Sequence, residues 1–381
     1  HAYLTHNPPY GMAWACCALL RMGDRRTAAR LSTQFGAATD DPCWQALTAQ
    51  QSPELEAQDA TTACRMAFFR SQRLIADGDR EGGARWLRRA LQTGGPDQPE
   101  RISEAEQRFR QTVEIKPDHY DAEVARAMCL LLDGRYKEGW DAYEIRWKLT
   151  VTPEPRYQDR QWDGKPVKGP IFLSSEQGFG DTIMFCRFAR FVRERCDRVI
   201  LESQKQLRNL LTDVEGIDDI VVQKETVPPF ARHAYLLSLP RLLDLTPETI
   251  PAPVPYIHAT PERRAWAANM MKVLGPLVRV GITWAGNPKY GRDRERSIEP
   301  RHILELLEAR GIALLSLQKG APVEQLGELG CQSLISNLDR QINDFTDTAA
   351  IVSQLDIVVT CDSAVAHLAG AMGKPVWVAV P

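Results

Sequence analysis

Two regimes of apolar patterning divide the chain. Over residues 1–150, rich in Ala, Leu, Arg and Glu, apolar positions return every three or four residues, the spacing of packed amphipathic helices, and no strand pattern interrupts them. Three places show a helix, a short turn and a second helix: Leu19 to Asp24, Leu74 to Asp79 and Leu131 to Tyr136, with Gly23, Gly78 and Gly134 in the turns. The clearest unit runs from Ala105 and Phe109 to Pro117, then through Ala122, Ala125 and Ala127 to Tyr136; its small residues let helices pair closely and its proline ends one of them. Trp140, Tyr143 and Trp147, spaced by three and four, read as the packed face of the last helix rather than a sugar-stacking platform.

Residues 151–169 carry Pro153, Pro155, Pro166, Gly164 and Gly169 among polar residues, the composition of a linker. From Ile171 the period changes. Short apolar strands at Ile171–Leu173 and Val199–Leu201 flank a helix over 181–195. A second set holds strands at Val278–Thr283, Ala313–Leu317, Ile357–Thr360 and Val376–Val380 with helices over 300–310 and 363–372. Strands alternating with helices predict parallel sheets covered by helices, hence two Rossmann-like lobes, 170–262 and 263–381. The proline-rich stretch 225–262 contains Leu236 to Pro240, which reads as a short strand or loop before the connection between the lobes. The chain opens on His1 and stops at Pro381 directly after a strand, so both ends read as cut and the second lobe as truncated.

Composition narrows the partners. A chain of 381 residues with 44% apolar residues buries a sizeable core, while a formal charge of −2 gives no basic field for nucleic acid or an anionic membrane. No apolar run reaches the roughly 20 residues of a transmembrane helix, which leaves peripheral attachment to an inner membrane open. Nine cysteines, among them the adjacent Cys16 and Cys17, form no C-x-x-C pair and no metal-ligand spacing, so they read as reduced thiols in a cytoplasm.

Three loops following strands carry the candidate chemistry. In Glu176-Gln177-Gly178-Phe179-Gly180-Asp181-Thr182, the glycines Gly178 and Gly180 permit a sharp turn and close approach, and Asp181 lands at a helix start, where a carboxylate could take a proton from a hydroxyl or simply cap the helix. Ile183 stands where a dinucleotide fingerprint needs its third glycine, and no G-x-x-x-x-G-K-[ST] run is present, which argues against nicotinamide and triphosphate chemistry. After the first strand of the second lobe come Thr283 to Lys289 and then Arg292, Arg294, Arg296 and Ser297; Lys289 and Arg296 suit a phosphate, although Asp293 and Glu295 interleave as on a solvated loop. Lastly, Thr360 to Gly370 opens a helix whose free N–H groups near Ser363 and Ala364 favour an anion, with Asp362, Ser363 and His367 on one face. A histidine in such a helix is also commonly a packed structural residue.

Taken together, Gly178-Phe179-Gly180-Asp181, Gly281 to Pro288 with Arg296-Ser297-Ile298, and Asp362 to Gly370 resemble the motifs of heptosyltransferase-type, family 9-like glycosyltransferases. The segment from Ala105 to Tyr136 resembles a tetratricopeptide repeat, although its glycine turns are spaced more widely than the roughly 34 residues of that unit. The resemblance implies a GT-B pair of facing Rossmann-like lobes behind an all-α tetratricopeptide-like domain, and an inverting, metal-independent transfer that uses a nucleotide-diphosphate sugar as co-substrate and no bound cofactor. It makes Asp181 the candidate general base. It assigns Asn287, Lys289, Arg296, Asp362, Ser363, Ala364 and His367 to the donor side with Gly178 and Gly180, while Gln318 and Lys319, at the end of a second-lobe strand, are candidates for reading the donor base by their position. Thr182-Ile183-Met184 departs from the polar positions usual in lipopolysaccharide heptosyltransferases, and the repeat arm is foreign to them, so either a hexose or a heptose fits as donor sugar. By analogy of architecture the repeats would dock a protein acceptor, such as a secreted appendage protein. The competing expectation is an inactive scaffold that binds protein partners through its repeats.

Overall fold

The computed structural model describes residues 97–149, 155–250, 253–287, 293–309 and 311–379. The chain divides into two compact units, His1–Arg108 and Phe109–Pro381. The repeat turns at Gly23 and Gly78 lie outside the described residues, as do Lys289 and Arg292. Helix α1 (Asp97–Ile115) ends ahead of Lys116-Pro117, and α2 (Tyr120–Leu132) and α3 (Tyr136–Tyr143) follow. Gly134, at φ 79°, takes the left-handed conformation that the tight α2–α3 turn requires. Among the described residues, no helix is long and apolar enough to cross a membrane.

The first lobe is a parallel sheet in the order β3-β2-β1-β4, formed by β1 (Pro170–Ser174), β2 (Arg198–Ser203), β3 (Asp219–Val222) and β4 (Arg232–Tyr235). The second runs β7-β6-β5-β8-β9, formed by β5 (Val278–Thr283), β6 (Ile312–Ser316), β7 (Ser336–Asn337), β8 (Ile357–Cys361) and β9 (Val376–Ala379). Each lobe's first strand is central and the order reverses beside it, which is the doubly wound, Rossmann-like arrangement expected from the alternating pattern. Strands buried on both faces read as continuous apolar runs, and Ile171, Phe172 and Leu173 are wholly buried accordingly.

Several elements differ from their expected form. The helix expected over 181–195 is α4 (Phe179–Phe185), a 3₁₀ turn at Cys186–Phe188 and a short helix at Ala189–Arg193. Leu236–Ser238 is a 3₁₀ turn leading into a helical turn at Leu239–Leu242, with the strand of that region, β4, directly before it. Helix α5 (Pro261–Met270) starts two residues ahead of the expected lobe boundary at 263 and packs on α6 (Phe345–Ser353), with Arg263 Nη1 3.3 Å from Asp347 Oδ1. From residue 155 on, the stretch expected as a linker lies against the first sheet instead. Trp162 is 3% exposed and its N–H donates to the His233 carbonyl at 2.7 Å, while Tyr157 meets Phe172 and Phe230 edge-on. These aromatic side chains bury apolar area that overrides the loop-forming prolines around them.

On β1 and β4 lies a polar network centred on a buried histidine. His233 is fully buried, with Nε2 2.9 Å from Ser174 Oγ and Nδ1 3.1 Å from Gln161 Nε2. Burial, with the nearby Arg156 charge, pulls its pKa down from 6.5 to about 3. An unfolded chain therefore takes up the proton first as pH falls, so the stability contributed by the neutral ring is full above 6.5 and drains away toward 3. His233→Gln, which keeps hydrogen-bonding capacity without titrating, is expected to flatten the fall of urea-unfolding free energy across that window by up to about 1.4 kcal/mol per pH unit. Equal slopes for variant and parent would show that His233 does not govern acid stability.

Candidate functional site

All three candidate loops leave the carboxyl ends of strands, where open α/β sheets bind ligands. The loop after β1 turns at Gln177, whose φ of 59° is left-handed, and enters α4 with Gly178 as N-cap. Asp181 is the third helical residue, and its Oδ2 accepts the Gly178 N–H at 2.8 Å. The capping role considered for Asp181 is thus real. It engages one of the two carboxylate oxygens. Thr182 Oγ1 donates to Gln204 Oε1 at 3.0 Å and steadies the same turn from the β2 side.

The first lobe meets the second through this helix. Helix α4 packs on α7 (Ala364–Ala371), the helix after β8. A Cβ built on Gly180 would stand 2.5 Å from His367 Cδ2 and 3.2 Å from His367 Nε2, so only glycine lets the two approach this closely. Phe179 packs on Phe345 at a ring separation of 5.2 Å, a second contact across the lobes.

Asp181, His367 and Asp362 therefore share one neighbourhood. Burial raises the Asp181 pKa; the Gly178 N–H and the His367 ring oppose the shift, and the Asp362 charge adds to it. Asp362 is exposed, while Ser363 is buried and its Oγ lies 3.0 Å from Thr360 Oγ1. Ser363 is the N-cap of α7 without a side-chain capping bond, and the helix that begins at Ala364 directs backbone N–H groups toward this edge.

The loop after β5 is held differently. Gln318 is 2% exposed; its Oε1 accepts the N–H groups of Trp284 and Ala285 at 3.0 and 2.9 Å, and its Nε2 donates to the Ala285 carbonyl at 3.0 Å. This amide, expected at the donor base, is committed to propping the loop. Lys319 Nζ is likewise anchored, to the Asp339 carbonyl and carboxylate and to the Ile342 carbonyl. Arg296 Nε donates to Asp293 Oδ1 at 2.9 Å, and Ser297 Oγ donates to the Asp293 carbonyl at 2.8 Å. A Cβ on Gly286 would lie 2.4 Å from Asp293 Oδ1 and 2.5 Å from Arg296 Nη2, so the loop folds tightly over this pair. Burial pushes the Cys361 thiol up to about 11, against the pull of the Arg296 charge, so Arg296 and Asp362 both act at the end of β8. Asn287 is exposed on the same loop.

Asp293, which in the sequence fits a solvated loop as well as a ligand loop, is buried, and Arg146 carries no local signal. The buried Asp293 orients Arg296, and an aspartate three residues ahead of an arginine, the spacing of a helical ion pair, is the available signal. Arg146 is 2% exposed and binds Glu176 with both ends of its fork, at 3.0 Å each.

Gly180→Ala should force His367 aside and part α4 from α7, costing roughly 1–3 kcal/mol in thermal unfolding as an overpacked contact does. An unchanged melting temperature would show that the two helices do not need this close approach.

No family model matches the chain. Protein FlbA of Caulobacter vibrioides is 27% identical over 304 residues, 67% of this chain and 47% of that protein, so the chain spans about half the length of the curated relative it matches. Among solved structures, the ADP-heptose lps heptosyltransferase II of E. coli is similar over 55% of this chain and 84% of its own, at 13% identity and a TM-score of 0.43. The glycosyl transferase family 9 structure from Veillonella parvula is similar over 57% and 81%, at 13% identity and a TM-score of 0.42. An O-GlcNAc transferase mutant from Thermobaculum terrenum spans 98% of this chain and 83% of its own, at 13% identity and a TM-score of 0.29. At these identities and TM-scores the structural likenesses carry no argument, and the fold rests on the two sheet orders.

Proposed function

We propose that the chain is a glycosyltransferase that moves a sugar from a nucleotide-diphosphate sugar to an acceptor hydroxyl with inversion, in a GT-B arrangement of its two lobes. The observation that carries this reading is the meeting of Asp181 on one lobe with Asp362 and His367 on the other, at the carboxyl edges of two Rossmann-like sheets. In this reading the acceptor oxygen attacks the anomeric carbon from the face opposite the diphosphate. Its proton passes to Asp181 as the new C–O bond forms, and the bond to the diphosphate breaks with its electron pair leaving on the nucleoside diphosphate. Burial supports the role of base, because a carboxyl whose pKa lies above the ordinary aspartate range holds a proton better near neutrality.

On the donor side, Arg296, oriented by Asp293, and the α7 N-terminus at Ser363 and Ala364 would stabilise the leaving diphosphate, with His367 and Asp362 at the sugar. Lys289 joins them by sequence position alone. No metal enters this assignment, since arginine and helix N–H groups supply the positive potential it needs. A protein acceptor docked by the N-terminal helices, in a bacterial cytoplasm, is the partner and setting that the pairing of a helical segment with a transferase body favours.

Asp181→Asn keeps the cap acceptor and removes the base. With donors drawn from nucleotide-diphosphate hexoses and heptoses, it should lower kcat by about 100-fold to 10,000-fold while calorimetry still registers donor binding. In the parent protein the raised carboxyl pKa places loss of kcat/KM, as pH falls, above the roughly 3.9 of an ordinary aspartate. Full turnover by the Asn variant would remove Asp181 from the mechanism. Arg296→Met should raise the donor KM by about 10-fold or more as a charge-assisted phosphate contact is lost, and an unaltered KM would remove Arg296 from the donor site. Absence of donor binding by the parent protein across the panel would favour the scaffold alternative.

A further inference from the structure

The helical segment before the sheets reaches into the loop that carries Asp181. Arg146 lies in the 3₁₀ turn Glu144–Lys148 that follows α3. Its Nε donates to Glu176 Oε2 and its Nη2 to Glu176 Oε1, both at 3.0 Å; Nη2 also donates to Ser238 Oγ at 2.8 Å and Nη1 to Glu144 Oε1 at 2.7 Å. The Tyr143 and Trp147 rings lie 5.1 and 4.6 Å from the guanidinium carbon. Burial works against the Arg146 charge, but the hydrogen bonds and charges of Glu176 and Glu144 outweigh it and hold the pKa above its ordinary value. Glu176 Oε1 additionally accepts the Leu237 N–H at 3.2 Å, which ties the pair to the turn after β4.

A second tether lies one residue on. Gln177 stands in the left-handed region that a side chain disfavours, and its Nε2 donates to Tyr143 Oη at 2.9 Å. A non-glycine residue keeps such a backbone only where its surroundings hold it. Burial pushes the Tyr143 hydroxyl pKa up; the Gln177 hydrogen bond and the Arg146 charge oppose the shift, and the charges of Glu176 and Asp181 add to it. Directly after Gln177, the Gly178 N–H binds the Asp181 carboxylate. Three consecutive residues thus join two side chains of the helical segment to the proposed base.

We propose that Arg146 and Tyr143 are positioning residues: gripping Glu176 and Gln177, they fix the turn that aims Asp181, so that the helical segment forms one wall of the reaction site. This rests on the transferase reading for its consequence in catalysis, and on geometry alone for the rigidity of the turn. Bidentate arginine–carboxylate pairing supplies orientation as well as attraction, which a lysine point charge cannot reproduce.

The test uses the full chain with Arg146→Lys, Glu176→Gln and Tyr143→Phe; the last deletes a single oxygen and keeps the protein folded if the ionic pair proves indispensable. Amide hydrogen exchange is read by mass spectrometry over 176–182, with 345–353 in α6 as reference. The first two variants should speed exchange over 176–182 by about 10-fold, and Tyr143→Phe by a few fold, with the reference segment unchanged. In transfer assays kcat should fall by about 10-fold to 100-fold at Arg146→Lys with donor KM within about twofold, as misplacement of a base predicts. The acid limb of the rate profile should shift toward lower pH as water reaches the carboxylate. Unchanged exchange over 176–182, or an equal rise in both segments, would overturn the proposal, as would parental kcat in variants whose turn has loosened. Should the parent protein transfer no sugar from any donor, the transferase reading falls, and the exchange comparison alone decides whether these residues hold the turn.

Discussion

The absence of a side chain at Gly180 is the constraint from which the arrangement of the two lobes follows. A Cβ there would press on the His367 ring, and the ring or the helix would have to shift for α4 to lie against α7. With the contact in place, two helix starts from different sheets come together, and a capped carboxylate, an imidazole and a second carboxylate occupy one small region. The desolvation that raises the Asp181 pKa has the same origin, because the close approach excludes water from one side of the residue.

Sequence patterning reveals most of the framework because buried parallel strands leave little choice of residue. Ile171–Leu173 and Ile357–Cys361 are apolar or small along their length, as is Val278–Thr283 but for Arg279, and each forms a strand. Strand β4, Arg232-His233-Ala234-Tyr235, hides from the same reading because its central residue is a histidine that burial keeps neutral and that hydrogen bonds on both sides satisfy. Helix α6 is missed for the opposite reason: buried along nearly all its length, it lacks the polar face that marks an amphipathic helix.

The candidate site divides along similar lines. Asp181, Ser363 and His367 are legible because local turn chemistry and helix starts announce themselves within a few residues. Gln318 looks suited to reading a ligand because it follows a strand, but its buried amide is consumed by the backbone of a loop 33 and 34 residues earlier. Arg146 and Glu176 are 30 residues apart, and no local pattern marks two such residues as partners. Pairings over that distance are products of the fold, and they appear only once its elements are assembled.

The ion pair between Arg146 and Glu176, with Trp140 lying edge-on to Phe185, bears on how such a protein could be cut or recombined. A fusion that began the chain at the proline-rich stretch would leave the Glu176 carboxylate without its guanidinium and the Phe185 ring open to water, and each change costs stability. A cut that spares both contacts would therefore lie upstream of Trp140, so that the last helical turns stay with the sheets.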